Sequence, residues 1–357
     1  MNITFVAPPP NMSGGIRVIA IYARWLQRHG HRVTIVHPRP APPRPRPLGR
    51  IWQALRGQQA RAAPAQPSHF DSLDVQRIEL DGARPVEDRD VPDGDVVIAT
   101  WWETAEWVSR LSIAKGRKFY FVQHHETFDY LPVQRVEATY RLPLKKIVIA
   151  RWLQELMLER YGDPNTLLVP NAVDHAQFHA PPRGKQPLPT IGVLFHETPF
   201  KGFDTALQVI EKVRNRRPDL RVVAFGTDPP KQYAPLPQGF SLHVAPAQTA
   251  IRDLYAQCDA WLTCSRSEGF NLPAMEAMAC RTPVVATRTG WPAEAIRDGV
   301  NGYLAEVDDV EALAQGLLAL LTLDPSDWRQ VSDNAFDTVA DCSWEHSSRA
   351  FEAALSA

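Results

Sequence analysis

The chain has 357 residues, 44% of them apolar and 22% charged, with a net charge of −1. That length suffices for two domains with separate cores, and the composition excludes disordered and collagen-like chains. No apolar stretch reaches the ~20 residues of a membrane-crossing helix, and the opening run ITFVA is too short for a secretion signal. The chain is therefore expected in the cytoplasm, soluble or peripheral on an inner membrane face. Cys258, Cys264, Cys280 and Cys342 lack metal-ligand spacing, which fits a reducing compartment.

Short β-rich runs alternate with helical periodicity, predicting an α/β chain of two Rossmann-like halves. In the first, strands are expected at 3–7, 33–37, 96–100, 118–122 and 147–150. The intervening helix carries Val18, Tyr22, Trp25, Leu26 and His29 at a 3.6-residue period, and Gly30 ends it. Gly14 and Gly15 follow the first strand and permit close backbone approach at a helix start, or form a simple turn, and Arg17 would add charge there. Residues 1–70 hold ten arginines and no aspartate, glutamate or lysine, so this part is expected to face something anionic. Within the Pro- and Arg-rich insertion 38–69, Leu48, Ile51, Trp52 and Leu55 recur at helical spacing. Residues 38–63 read either as a basic amphipathic helix for an anionic membrane or as a surface loop. Nucleic acid is not the expected partner, because the basic segment lacks interleaved aromatics beyond Trp52.

The strand at 118–122 runs into FVQHHETF, which places Gln123, His124, His125 and Glu126 at a carboxyl end, where ligands of open α/β sheets bind. The Pro-rich stretch VPNAVDHAQFHAPPRGKQPLP is the expected linker. It separates a domain at 1–172 from one at 186–340, with a terminal helical segment at 341–357. Strands are expected at 190–194, 221–225, 260–264 and 283–286.

Glu268 and Glu276 lie eight residues apart in SEGFNLPAMEAMACRTPVVAT, between two buried strands. Pro273 suits a first helical turn, so the N–H groups of Phe270, Asn271 and Leu272 should point outward and form an anion site, with Glu276 in that first turn. Two carboxylates beside an anion site favour neutral hydroxyls as partners. Diphosphate together with sugar and ribose hydroxyls is the layout of a sugar nucleotide. The plainer alternative is a loop glutamate and a favourable charge near a helix start.

The whole string, continued by RTGWPAEAIRDGVNGYLAEVDDVEALAQGLLALL, resembles the E-x7-E block of glycosyltransferase family 4, retaining enzymes of GT-B fold that take sugars from nucleotide donors. The resemblance implies two Rossmann-like domains with parallel sheets facing a central cleft, and a final helix crossing back to the first domain. It implies that Lys201 grips the donor diphosphate, that Gly14 and Gly15 lie near donor phosphate and acceptor, and that a histidine after the 118–122 strand contacts the transferred sugar. His124 is favoured over His125, with Glu126 and Arg17 on the acceptor or sugar side. Lys201, Glu268 and His124 are thus the expected catalytic residues. This chain departs from the family at His196, where arginine is usual, and at Arg281, where glycine is usual; a local backbone adjustment is expected at Arg281. The segments FYFVQHHETFDYL and LFHETPFKG look like a branch near bacterial surface-polysaccharide rhamnosyltransferases.

The function implied is retaining transfer of a sugar from a nucleotide-diphosphate donor to a hydroxyl of a glycan or lipid-linked acceptor, in polysaccharide or glycolipid biosynthesis. No metal or other cofactor is expected. Two alternatives fit the same motifs, a sugar-nucleotide epimerase and a non-catalytic sugar-nucleotide-binding protein.

Overall fold

The computed structural model describes residues 1–39 and 67–356. The amphipathic helix expected around Leu48, Ile51, Trp52 and Leu55 lies outside the described residues. Contacts divide the chain into two units, Met1–Ile147 with the residues from Leu355 on, and Val148–Ala354.

The first unit contains β1 (Asn2–Val6), α1 (Gly14–Arg28), β2 (Arg32–Pro38), β3 (Gln76–Leu80), β4 (Val96–Ala99), α2 (Trp102–Arg110), β5 (Arg117–Val122), α3 (Val133–Thr139) and β6 (Lys145–Val148). With β7 (Leu167–Leu168), which follows α4 (Arg151–Tyr161), the strands form a seven-stranded sheet ordered β3-β2-β1-β4-β5-β6-β7. β1 pairs in parallel with both β2 and β4, setting Ile3 beside Val33 and Val96. All of β4 is buried, as a central parallel strand covered on both faces must be. The strand order reverses between β1 and β4, so the loops after these strands diverge at a topological switch point. α1 buries Val18, Tyr22 and Leu26 as its periodicity predicts, together with Ile16, Ile19, Ala20 and Ala23. Trp25 and His29 are not buried with them; their rings stack on each other 3.6 Å apart.

The second unit continues with β8 (Thr190–Leu194), α5 (Phe203–Arg214), β9 (Arg221–Gly226), β10 (Phe240–Val244), α6 (Ile251–Ala256), β11 (Ala260–Thr263), α7 (Leu272–Ala279), β12 (Val284–Thr287), α8 (Trp291–Ala295), β13 (Gly302–Ala305), α9 (Val310–Thr322), α10 (Pro325–Val339) and α11 (Trp344–Ser356). Its six strands, ordered β10-β9-β8-β11-β12-β13, are all parallel. The switch point here lies between β8 and β11. Phe203, Val209 and Val213 of α5 share one core with Leu313, Leu317 and Leu320 of α9.

The strand expected at 147–150 ends earlier, at Val148, and Ala150 caps α4 instead. The stretch expected as a linker is stapled to the second unit. Asp259 accepts from the Gln186 and Thr190 amides at 2.7 and 2.9 Å, while Lys185 Nζ donates to the Leu321 and Leu323 carbonyls at 2.8 and 2.7 Å. Arg183 donates to Cys258 O at 2.6 Å and lies over the Trp328 ring. At the chain end, residues from Leu355 on belong to the first unit, where Arg117 donates to the Leu355 carbonyl.

Candidate functional site

In the second unit, the loops after β8 and β11 leave the sheet on either side of its switch point. The first carries a single 3-10 turn, Pro199–Lys201. Gly202 follows with φ +64°, and a Cβ there would lie 1.9 Å from the Cys264 carbonyl oxygen, so only glycine lets this turn lie against the end of β11. The second loop carries Ser265 and Glu268. Lys201 Nζ donates to Glu268 Oε1 at 2.8 Å, and Ser265 Oγ donates to the same oxygen at 2.7 Å. The structure thus joins two predicted site residues that are far apart in sequence. With Asn271, Pro273 and Thr263 they line a small hollow at the carboxyl ends of β8 and β11.

The segment between Glu268 and α7 is held at every step. Trp152 Nε1 donates to Gly269 O at 2.9 Å, the Trp291 amide donates to Phe270 O at 2.8 Å, and the Phe270 and Trp291 rings stack at 5.7 Å. Gly290 permits the second of these contacts, since a Cβ there would meet Phe270 O at 2.8 Å. Asn271 adopts a left-handed φ of +80°, and its side chain accepts from the Ala274 amide while donating to Thr263 Oγ1 at 2.9 Å. It caps α7, with Pro273 inside the first turn as predicted. Leu272 opens that helix, so Glu276 is its fifth residue and sits one turn deeper than expected. Glu276 is buried and accepts from the Tyr255 hydroxyl at 3.0 Å.

His196 ends the loop's first stretch. Its Nδ1 accepts from the Thr198 amide at 3.0 Å, which assigns the neutral ring's proton to Nε2. Burial, followed by the neighbouring Lys201 charge, lowers its pKa below the ordinary histidine value. His196 is therefore a neutral donor near pH 7, and the arginine charge that the family resemblance leads one to seek there is absent from this side chain. Arg281 keeps the left-handed turn that a glycine would favour, with φ +59°. Its amide donates to Met278 O and the Thr282 amide to Ala277 O, closing α7 in a Schellman motif. The side chain is secured by Asp333, by Ala180 O and by the Phe336 ring.

In the first unit, α1 begins at Gly14 with no side-chain cap and no acidic residue in its first turn, so no carboxylate of that turn offsets its positive end. Gln123 Nε2 donates to Gly15 O at 3.3 Å, bringing the loop after β5 against the first turn of α1. The Gln123 carbonyl oxygen is buried and finds no partner among the described residues. The sequence alone places Gln123 at the carboxyl end without assigning it a role. Arg17 and both histidines are half-buried. His124 Nδ1 donates to His125 O at 2.9 Å, which puts the His124 proton on Nδ1, and His125 Nδ1 lies 3.2 Å from Thr127 Oγ1. Glu126 turns inward. It is 2% exposed, accepts from the Trp102 amide at 3.1 Å, and is pushed well above the usual carboxylate range by burial. This buried acid, bonded to the start of α2, holds the loop in place, and its burial leaves almost none of the side chain exposed where the sequence places an acceptor- or sugar-side group.

A family model described as glycosyl transferases group 1 matches residues 187–323. This segment is a glycosyl transferases group 1 domain. Among curated relatives, a D-inositol 3-phosphate glycosyltransferase of Kribbella flavida is 31% identical over 163 residues, 41% of this chain and 38% of that protein. A second, from Mycolicibacterium vanbaalenii, is 41% identical over 93 residues, 26% of this chain and 20% of that protein. The chain thus spans well under half the length of these relatives. HepE of Anabaena, solved in complex with UDP, aligns over the whole of both chains with a TM-score of 0.75 at 15% identity. Sucrose-phosphate synthase of Thermosynechococcus elongatus aligns over 99% of this chain and 98% of its own with a TM-score of 0.71 at 15% identity. The fold is GT-B. Lys201, His196, Glu268, Phe270, Asn271, Leu272 and Glu276 all fall inside the group 1 domain, whereas Gly14, Gly15, Arg17 and the histidine loop fall outside it.

Proposed function

We propose that the chain is a retaining glycosyltransferase of family 4, moving a sugar from a nucleotide-diphosphate donor to a hydroxyl of a glycan or lipid-linked glycan. The Lys201–Glu268 pair at the switch point of the group 1 domain carries this reading. Negative charge grows on the departing diphosphate, and stabilising it is the main catalytic task. Lys201 supplies a point charge, and the capped start of α7 supplies oriented amides. Glu268 and Glu276 are the acceptors for donor hydroxyls, and a donor hydroxyl at Glu276 would compete with Tyr255. His124, with His125 beside it, is assigned to the transferred sugar, and Arg17 with Gly14 and Gly15 to phosphate or acceptor. No side chain among the described residues stands out as a covalent nucleophile, so the acceptor hydroxyl attacks from the leaving-group face and the leaving phosphate takes its proton.

Metal-independent transfer is part of the proposal. Its support is that the Asp-x-Asp pairs at 88–90 and 93–95 precede β4, at the amino end of the strand, and are already engaged: Asp90 by Arg84, Asp93 by Lys115 and Asp95 by the Asn2 amide. The basic sequence 38–63 supports a membrane-borne acceptor and a peripheral location, and no helix among the described residues is long and apolar enough to cross a membrane. Vesicle sedimentation with and without anionic lipid tests this, and equal recovery in both supernatants rejects it.

The transfer reaction itself is tested by release of nucleoside diphosphate from a panel of sugar nucleotides with lipid-linked and free glycan acceptors. Acceptor-dependent release supports transfer. The neutral His196 favours one second reading, a sugar-nucleotide-binding protein without turnover, which would bind donor and release nothing.

A further inference from the structure

We propose that Arg266 is the positioning residue for Lys201, fixing the 199–202 turn from which that lysine reaches the donor phosphates. This rests on the reading of Lys201 as the phosphate-binding cation.

Two successive carbonyls immediately before Lys201 are held by this one residue. The Arg266 amide donates to Phe200 O at 2.7 Å and its guanidinium Nη1 to Pro199 O at 2.6 Å. The rest of the guanidinium reaches the start of α5 and the loop after β13. Nη1 and Nη2 form a two-point contact with Asp204 at 3.0 and 2.8 Å, Nη2 also meets Thr205 Oγ1 at 2.9 Å, and Nε meets Asp308 at 2.9 Å. A guanidinium has five N–H donors, and this set occupies all of them. Arg266 therefore does not replace the missing charge at His196 by binding phosphate itself, because a phosphate contact would cost one of these bonds.

The far side of the clamp is itself fixed. Asp308 takes a left-handed φ of +61°, a conformation that persists only where surroundings enforce it, and Thr205 Oγ1 donates to Asp308 Oδ1 at 2.7 Å. Loops after β8, β11 and β13 are thereby tied at one guanidinium. Lysine cannot make the same set of bonds, since an ammonium offers three donors from one point.

The test uses the full chain. UDP, GDP, ADP, CDP and dTDP are screened for the largest thermal stabilisation, and calorimetry then gives Kd for the selected diphosphate and for its monophosphate. In Arg266→Lys the diphosphate is expected to weaken roughly tenfold and the monophosphate less than about twofold. On a Lys201→Ala background, Arg266→Lys is expected to add almost nothing, since both changes act through one ammonium. Equal weakening of both nucleotides, or of neither, overturns the positioning role while leaving the Lys201 reading in place. Should Arg266→Lys fail to fold, Asp308→Asn removes one arm of the clamp; a smaller loss confined to the diphosphate is expected, and an unchanged diphosphate Kd overturns the inference. If no nucleoside diphosphate binds the wild-type chain, the Lys201 reading fails and this inference fails with it.

Discussion

Lys201 Nζ lies 2.8 Å from Glu268 Oε1, and Ser265 Oγ shares that oxygen. The cation that the proposal assigns to the leaving group is thus oriented by a carboxylate whose charge partly offsets its own. Lys201→Ala should lower turnover about 10²–10³-fold, the range seen when one stabilising donor to developing charge is removed. Glu268→Gln leaves an acceptor for the ammonium but removes the opposing charge, so nucleoside diphosphate should bind more tightly while turnover falls. Calorimetry beside a diphosphate-release assay separates the two effects; unchanged turnover in either variant contradicts the assigned roles.

Gly202 should tolerate no side chain. With φ +64° and the Cys264 carbonyl oxygen 1.9 Å from where a Cβ would stand, Gly202→Ala must shift the turn that carries Lys201. A cost of about 1–3 kcal/mol is expected from strain and overpacking. Chemical denaturation measures it, and a loss below about half a kcal/mol, on the order of a neutral surface change, would contradict the geometry.

Arg281 combines a strained backbone with a well-held side chain. Arg281→Ala loses the side-chain contacts and keeps the strain, whereas Arg281→Gly loses the contacts and relieves it. The glycine variant should therefore be the more stable of the two, by about 1 kcal/mol. Equal denaturation midpoints would show that the left-handed turn is not strained in solution.

The buried Glu126 gives a pH dependence of definite sign. Its folded-state pKa is raised by burial, so over the range above the ordinary carboxylate value the folded chain keeps a proton that the unfolded chain has lost. Its contribution to stability falls as pH rises, by at most about 1.4 kcal/mol per pH unit, until the folded-state pKa is passed. Glu126→Gln, which can still accept from the Trp102 amide, should gain on the wild type as pH rises above the ordinary carboxylate range. Melting curves that stay parallel across this range would show that the carboxyl is ionised in the fold.

Central strands are legible in the sequence, and edges are not. β1, β2, β4, β5, β8, β9, β11 and β12 are interior strands read from continuous apolar runs, and all fall within a few residues of expectation. The four strands without a sequence signal, β3, β7, β10 and β13, are the outer strands of the two sheets. β3 and β10 are largely solvent-facing, so QRIEL and FSLHV lack the uninterrupted apolar pattern. Among site residues, the local motif places Glu268, Asn271 and Pro273 correctly because a helix start has its own chemistry. Glu126 faces inward because it lies in the loop beyond β5, where contacts with the Trp102 amide and the Tyr140 hydroxyl, and no local sequence pattern, set its direction. Arg266 carries no local signal because its partners, Asp204 and Asp308, are brought to it only by the fold.

The most direct test of the account is a crystal structure of the chain soaked with the sugar nucleotide that stabilises it most. The account predicts the diphosphate against Lys201 and the first amides of α7, with donor hydroxyls on Glu268 and Glu276. A donor bound away from both Lys201 and the 268–276 segment would contradict it.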